Sequence, residues 1–237
     1  MTNEPKQSSK FGLYSSLGIG ALAIGCSIAA IPFLTPAMRK HALPYIPATP
    51  KQIKNVFKAV RQYSAQNNIA NKVPNNSNLV KLVDLGSGDG RIVFDAAKRG
   101  YHATGVELNA ILVLYSKIKA ITSRSQLKPK NDLKFYKPQF ERADFWKVNM
   151  NEYDLIVVFG VQEMMKDLGK KLKLEMKEDT LIVSCRNPIP SYKSVFSLDD
   201  ELDSVWIYNK ESLFKLVESE NKANSNKKVD DDDDDDD

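Results

Sequence analysis

The sequence predicts an α/β domain in which a seven-stranded, mainly parallel sheet carries helices on both faces. Three observations predict this fold. From residue 79 onward, short apolar segments alternate with longer segments of helical periodicity. A glycine-rich turn at residues 86–90 leads from the first apolar segment directly into a helix. Two short apolar segments, 195–198 and 205–208, are spaced to close the sheet as a pair.

The individual elements follow from the same patterns. Apolar and β-branched residues predict strands at 79–84, 102–107, 133–136, 155–160 and 180–185, before the closing pair. Helical spacing of apolar residues predicts helices at 91–99, 110–123 and 161–173. An earlier helix is expected at 50–67, because Thr49 can cap it and Pro50 suits a first helical position.

The N-terminal region predicts a membrane anchor. Residues 11–38 carry no charge, and the stretch from 12 to 34 exceeds the roughly 20 residues that cross a bilayer as a helix. A cleaved secretory signal is the alternative, since small residues occur at 27–30. The uncharged run is longer than the ~7–15 apolar residues of such signals, which favours a retained transmembrane helix at 11–36.

The distribution of charged residues predicts on which side of the membrane the domain lies and which kind of surface it faces. Basic residues follow the anchor at positions 39, 40, 51, 54 and 58, which places the domain on the cytosolic or matrix-type side. The last eight residues, 230–237, are all Asp, and without them 34 bases stand against 22 acids. A basic body of this kind suits lipid headgroups, nucleic acid or plain solvent. The expected organisation is a polar N-terminus (1–10), the anchor (11–36), a Pro-rich linker and helix (37–78), the α/β domain (79–218) and a disordered acidic tail (219–237).

The candidate cofactor site begins where the first predicted strand ends. Asp84 is followed by Gly86, Ser87, Gly88 and Gly90, and then by a helix. Glycines allow a sharp turn and a close approach of a ligand, and the helix N-terminus offers free N–H groups. The Gly-x-Gly-x-Gly spacing differs from the dinucleotide pattern Gly-x-Gly-x-x-Gly. Since Asp84 would repel a pyrophosphate but suits a methionine ammonium, the motif favours S-adenosylmethionine over NAD.

The next strand ends support the same cofactor. Glu107 ends the second predicted strand, where its carboxylate can accept hydrogen bonds from both ribose hydroxyls, and Leu108 follows it. Asp144 and Phe145 come after the expected third strand and are candidates for the adenine amino group and ring. Cys26, Cys185 and the two histidines show no metal-ligand spacing, so no metal site is predicted.

These residues resemble a family of mitochondrial seven-β-strand protein-lysine methyltransferases, which modify the ATP synthase c-subunit or the adenine nucleotide translocase. The resemblance lies in Val83–Arg91, Gly105–Asn109, Asp144–Trp146 and Phe159–Val161 with Met164–Met165, and in two flanking segments, Pro44–Thr49 and Ser184–Pro188. Gln162–Glu163 departs from a Pro-Gln pair expected there, and the eight-Asp tail is not a family feature.

The resemblance implies a Rossmann-like class I methyltransferase that uses S-adenosylmethionine. It also implies a protein substrate in the inner mitochondrial membrane and a domain that faces the matrix. For a lysine acceptor, an apolar and aromatic channel would favour the neutral amine. Candidate channel residues are Tyr45, Trp146, Phe159 and Met164, with Phe159 preferred because it ends the fourth predicted strand; Glu163 could orient the amine.

Two other classes of function stay open. The same cofactor motifs serve methyltransferases of RNA or small molecules, although the chain has no recognisable RNA-binding module. An inactive membrane scaffold could also keep the fold, but the retained acidic residues and glycines of the cofactor motif argue against it.

Overall fold

The computed structural model describes residue 14 and residues 18–20, 22–24, 47–75, 77–129 and 133–215. The chain divides into two compact units, residues 1–44 and 45–237. In the first unit the described residues are helical and exposed. Among the described residues, no helix combines the length and the apolar character that a bilayer crossing requires. The rest of the expected anchor, together with Tyr45 and the acidic tail, lies outside the described residues.

The second unit contains a seven-stranded mixed sheet, which confirms the predicted strand count and Rossmann-like methyltransferase fold. Its strands are β1 (Lys81–Leu85), β2 (His102–Glu107), β3 (Gln139–Arg142), β4 (Leu155–Val158), β5 (Leu181–Cys185), β6 (Phe196–Leu198) and β7 (Val205–Tyr208). They are arranged in the order β3-β2-β1-β4-β5-β7-β6. The first five are parallel, whereas β7 runs antiparallel to both β5 and β6.

Four helices of the second unit connect or cover the strands. They are α1 (Pro50–Gln66), α2 (Arg91–Lys98), α3 (Ala110–Thr122) and α4 (Gln162–Glu175). The predicted Thr49 cap is present, since its hydroxyl accepts from the Gln52 N–H at 3.0 Å. At the start of α3, the Asn109 side chain likewise accepts from the Ile111 N–H at 3.0 Å. Because each cap satisfies a donor that the helix leaves unpaired, the predicted starts of α1 and α3 agree with the structure.

Helices cover both faces of the sheet, as predicted. Alternate strand residues point to opposite faces, so Leu82 and Val157 pack in one core cluster with side chains of α1, α2 and α3. Val83 and Ile156 belong to a second cluster with Met165, Leu168 and Leu172 of α4. The strands are therefore buried on both sides, which is why they form continuous apolar segments in the sequence.

The predicted third strand at residues 133–136 is wrong. The structure places β3 at Gln139–Arg142, paired in parallel with Thr104–Glu107 of β2. β3 is an edge strand in which only Phe140 is buried, so it lacks the apolar signal on which the prediction relied. The more apolar segment before it packs differently, with Leu133 against Gly100 in a loop.

Helix α1 belongs to the same compact unit as the sheet. Its Val56, Phe57 and Val60 are buried in the first core cluster. At its start, the Thr49 hydroxyl donates to Asp203 at 2.6 Å, and Lys51 pairs with Asp200 at 2.6 Å. This helix, which the sequence groups with the linker, therefore completes the face of the sheet that also carries α2 and α3.

Candidate functional site

The turn between β1 and α2 is shaped by its three glycines. Gly86, Gly88 and Gly90 have φ angles of 78°, 54° and 77°, in the left-handed region that other L-residues rarely adopt. The Gly86 and Ser87 N–H groups both donate to the Val106 carbonyl, at 2.9 and 3.0 Å. The turn is thereby fixed to the end of β2, at the edge where parallel strands of such sheets bind ligands.

Glu107 joins the two strand ends. One carboxylate oxygen accepts from the Gly88 N–H at 3.0 Å, and the other accepts from the Asn109 N–H at 2.8 Å. Leu108 follows with 47% of its surface exposed. The predicted ribose-binding carboxylate is therefore held in place by backbone donors on both sides, beside the glycine turn.

Asp84 is buried directly beneath this turn. Its Oδ1 has no hydrogen-bond partner among the described residues. Burial raises the pKa of Asp84 to about 8, and the charges of Glu107 and Asp89 add to the shift. A buried carboxyl with an unpaired oxygen is costly on its own, and a cationic group with its water would satisfy it.

Ser87 contributes to the turn in a way that the sequence did not indicate. Its hydroxyl is buried without a partner among the described residues and lies against β2. A Cβ added at Gly105 would be 2.6 Å from the Ser87 Oγ, so only glycine fits opposite it. Gly105 therefore belongs to the site; in the sequence it was marked only as a glycine inside a strand and as the first residue of a resembling segment.

An arginine clamp next to the turn was also not foreseen. Arg91, the first residue of α2, donates to both carboxylate oxygens of Asp89 and, at 2.6 Å, to the Ala48 carbonyl. Burial raises the pKa of Asp89, but the hydrogen bonds and charge of Arg91 outweigh it and hold that pKa below its usual value. The clamp ties the segment before α1 to the glycine turn.

Asp144 and Phe145 follow the third strand, as predicted, although that strand is displaced to Gln139–Arg142. The Ala143 N–H donates to the Glu107 carbonyl at 3.2 Å, which continues the pairing beyond β3. Asp144 Oδ1 accepts from the Trp146 N–H at 3.1 Å and so caps a short 3-10 turn. The Phe145 and Trp146 rings are 5.1 Å apart, and Trp146 is 38% exposed.

The fourth strand end supplies the candidate channel residues. β4 ends at Val158, so Phe159 and Gly160 form the loop after it. The Arg186 guanidinium lies 5.8 Å from the centre of the Phe159 ring. The Asn187 side chain donates to the Gly160 carbonyl at 2.8 Å and links this loop to the end of β5. Arg186 and Asn187 are functional candidates that sequence reasoning left without a role.

Two of the remaining predicted residues, Glu163 and Met164, lie in the first turn of α4. Glu163 is exposed in the first turn of α4, and Met164 is half-buried against Gly160. Tyr45 lies outside the described residues. Within the part of the chain that the structure describes, no three His, Cys, Asp or Glu side chains are grouped as a metal site.

The residues that are present fit S-adenosylmethionine. The unpaired Asp84 oxygen suits an ammonium, and the fixed Glu107 carboxylate suits a ribose. A Cβ at Gly86 would meet nothing within 4 Å, so the turn leaves space beside the backbone. A cleft of about 620 Å³ elsewhere, lined by side chains such as Arg61 and Tyr101, contains none of these residues.

Comparisons with known proteins agree with this architecture. A family model described as the ANTKMT methyltransferase domain matches residues 84–196. The Xenopus laevis ATP synthase c-subunit lysine N-methyltransferase is 36% identical over 208 residues, which cover 88% of this chain and 81% of that protein. The human enzyme of the same name is 38% identical, and the alignment covers 86% of this chain and 77% of that enzyme. The adenine nucleotide translocase lysine N-methyltransferase of Mus musculus is 30% identical, and the alignment covers 74% of this chain and 69% of that enzyme.

A solved structure supports the fold. An RNA methyltransferase from Salinibacter ruber, in complex with S-adenosyl-L-homocysteine, aligns with a TM-score of 0.56 and 20% identity. The alignment covers 69% of this chain and 93% of that one. At this level of identity the likeness concerns the arrangement of strands and helices.

Proposed function

The chain belongs to the family of lysine N-methyltransferases that includes the enzymes of the ATP synthase c-subunit and of adenine nucleotide translocase, and we propose that it methylates a lysine of the ATP synthase c-subunit. It is an S-adenosylmethionine-dependent enzyme. One observation supports this acceptor over the translocase. Identity to the c-subunit enzymes is 35–39% over 194–209 residues, against 30% over 181 for the translocase enzyme.

The cofactor residues are assigned from the strand ends. Asp84, Gly86, Ser87, Gly88 and Gly90 would hold the methionine part through the turn and the buried carboxyl. Glu107 and Leu108 would hold the ribose, and Asp144 and Phe145 the adenine. When bound, the cofactor supplies an activated methyl group on a sulfonium. The protein has mainly to align the acceptor with it, since transfer is a direct displacement.

Phe159 and Arg186 are proposed to prepare the acceptor. A lysine must lose its proton before it can accept a methyl group, and a nearby positive charge lowers the pKa of an amine. Arg186 already places a cation 5.8 Å from the Phe159 ring, so a second cation there is disfavoured and the neutral amine is favoured. Glu163, exposed at the start of α4, and Tyr45 are proposed to orient the acceptor chain.

The enzyme is further proposed to act in the inner mitochondrial membrane, with its catalytic domain on the matrix side. Residues 11–36 would form the anchor, supported by the uncharged stretch from 11 to 38 and the basic residues after it. Tethering raises the effective concentration of membrane-embedded acceptors relative to soluble ones.

The acceptor is tested with purified full-length enzyme and the unmodified ATP synthase c-subunit in nanodiscs, incubated with labelled S-adenosylmethionine. We expect methyl-sized mass gains on one peptide of the c-subunit. Glu107→Ala should abolish them, whereas Glu141→Ala, an exposed change on β3, should not. Parallel reactions contain adenine nucleotide translocase or total mitochondrial RNA. Label on the translocase alone would move the assignment to the second acceptor, and label on RNA alone would contradict a protein acceptor.

A further inference from the structure

The exposed face of α3 is unusually apolar for a helix in contact with solvent. Leu114, Tyr115, Ile118 and Ile121 are 58%, 49%, 53% and 66% exposed, and Leu108 just before the helix is 47% exposed. The inner face is already occupied, because Val113, Ser116 and Ala120 are buried against the sheet. Contiguous exposed apolar patches of this kind mark interaction surfaces.

Positive charge surrounds this face. From Ala110 to Pro129 the sequence contains no acidic residue, and it contains four cations: Lys117, Lys119, Arg124 and Lys128. Lys117, Arg124 and Lys128 are exposed. Lys119 lies 5.4 Å from the Tyr115 ring. An apolar stripe with a basic rim is complementary to the interface of an anionic bilayer, where apolar side chains enter the acyl boundary and cations meet headgroups.

The nearest acidic residue of the neighbouring strand faces the other way. Glu141 is on β3, whose Phe140 is the residue that packs beneath α3 near Ser116. Burial and the charge of Glu141 raise the pKa of Tyr153, which packs on the α4 side of the sheet. Alternation along the strand thus points Glu141 away from α3. Asp89 of the glycine turn interacts with Lys119, whereas no acidic side chain is paired with Lys117 or Arg124 by an ion pair among the described residues.

We propose that the outer face of α3, formed by Leu114, Tyr115, Ile118 and Ile121 with Lys117 and Arg124 at its rim, docks on an anionic lipid bilayer. A second copy of the chain fits poorly, because a twofold contact would bring the four cations against the same four cations. Docking would hold the glycine turn close to the membrane surface, since Glu107 and Leu108 lead directly into α3. This surface is separate from the anchor and independent of the acceptor identity.

The proposal is tested on the full-length protein with one fluorophore that reports its local polarity. A Cys26→Ser background leaves the buried Cys185 as the only native cysteine. Ile118→Cys carries the label on the proposed surface. Leu174→Cys on α4, 81% exposed, carries it on a matched site elsewhere. Each protein is placed in phosphatidylcholine vesicles with and without phosphatidylglycerol, and quenching by brominated acyl chains is recorded.

We expect the label at position 118 to shift to the blue and to be quenched only in vesicles that contain phosphatidylglycerol, and less so at high salt. The label at position 174 should stay in water. Lys117→Gln combined with Arg124→Gln should lower the ratio of docked to undocked label by about 30-fold, since each cation near the surface contributes about a factor of six. Lys117→Arg should leave the ratio of docked to undocked label unchanged.

Three results would overturn the proposal. The label at position 118 could remain as exposed as the one at position 174 in every vesicle. It could shift without vesicles as protein concentration rises, which would indicate a second copy. It could be protected only when the ATP synthase c-subunit is present, which would make this face a protein-binding surface. The methylation assay on that acceptor is read separately, so failure here leaves the proposed function intact.

Discussion

Asp84 shows how one residue can oppose folding and still serve binding. Its pKa is raised from 3.8 to about 8 in the folded protein, chiefly by burial. As pH rises above about 4, the unfolded chain releases this proton first and is favoured. The contribution of protonated Asp84 to stability is fully present below pH 4 and is therefore lost as pH rises toward 8. An acid that is kept in a core at such a cost is typical of a functional site.

The Asp84→Asn variant should be more stable than the wild-type protein without cofactor. The difference in the free energy of unfolding should grow between pH 4 and pH 8, reaching at most about 6 kcal/mol, since the amide does not ionise. The same variant should bind S-adenosylmethionine more weakly, because it offers no charge to the ammonium. Urea denaturation at several pH values and calorimetry measure the two effects.

Asp89→Asn is the matched control for this test. The pKa of Asp89 is lowered in the folded protein, so its carboxylate stabilises the fold at neutral pH and that contribution is lost as pH falls below 4. The variant should be destabilised at pH 7, with the opposite sign to Asp84→Asn. A pH-independent difference for Asp84→Asn would show that the buried carboxyl is already neutralised by another group.

Phe159→Leu tests the proposed acceptor channel. The change keeps an apolar side chain but removes the ring beside Arg186. We expect kcat for methylation of the ATP synthase c-subunit to fall about tenfold, with cofactor affinity within about twofold, because the Arg186 guanidinium loses a ring contact of about 1–2 kcal/mol that holds it beside the acceptor amine. Phe135→Leu, another half-buried ring packed against the first core cluster, is the control. Equal losses in both variants would indicate a packing role for Phe159.

At the scale of the elements, the glycine turn combines a folding requirement with a binding requirement. Gly86 and Gly90 have nearly equal φ angles of 78° and 77°. Their surroundings differ. A Cβ at Gly90 would lie 2.6 Å from Phe140, whose ring packs 5.2 Å from Phe94, whereas a Cβ at Gly86 meets nothing within 4 Å. Substitution of Gly90 therefore tests the packing of the turn, whereas substitution of Gly86 tests the space beside a ligand.

Alanine should act mainly on stability at Gly90 and mainly on cofactor binding at Gly86. Gly90→Ala should reduce the free energy of unfolding by about 3 kcal/mol, from backbone strain and overpacking against Phe140. Gly86→Ala should cost only about 1 kcal/mol, from strain alone, but should weaken cofactor binding. Chemical denaturation and calorimetry measure both. Wild-type cofactor affinity in a folded Gly86→Ala protein would contradict the placement of the cofactor at this turn.

At the scale of the whole molecule, the chain combines a basic catalytic unit with the proposed anchor at residues 11–36. Carbonate extraction and protease protection on mitochondria test the anchor and its orientation. We expect the protein to resist carbonate and to be digested only after the inner membrane is opened, because the basic residues after the anchor stay on the matrix side. Release by carbonate would contradict the anchor, and digestion in intact mitoplasts would contradict the orientation.

The sequence by itself determined the strand count, the helices and the glycine turn between β1 and α2. These features depend on local chemistry: glycines with positive φ, a cap at Thr49 or Asn109, and apolar strands that are buried on both faces. Each leaves a signal within a few residues of the chain. The charged strand ends at Asp84 and Glu107 could be predicted for the same reason.

Only the tertiary structure decided which distant residues meet. It moved β3 to Gln139–Arg142, because an edge strand that buries a single Phe140 has no periodicity of its own. It brought Arg91 to the Ala48 carbonyl and placed Gly105 opposite Ser87. It also left the α3 stripe exposed, although the sequence of that helix resembles a core helix. Such contacts depend on packing between segments far apart in the chain, which no local pattern records.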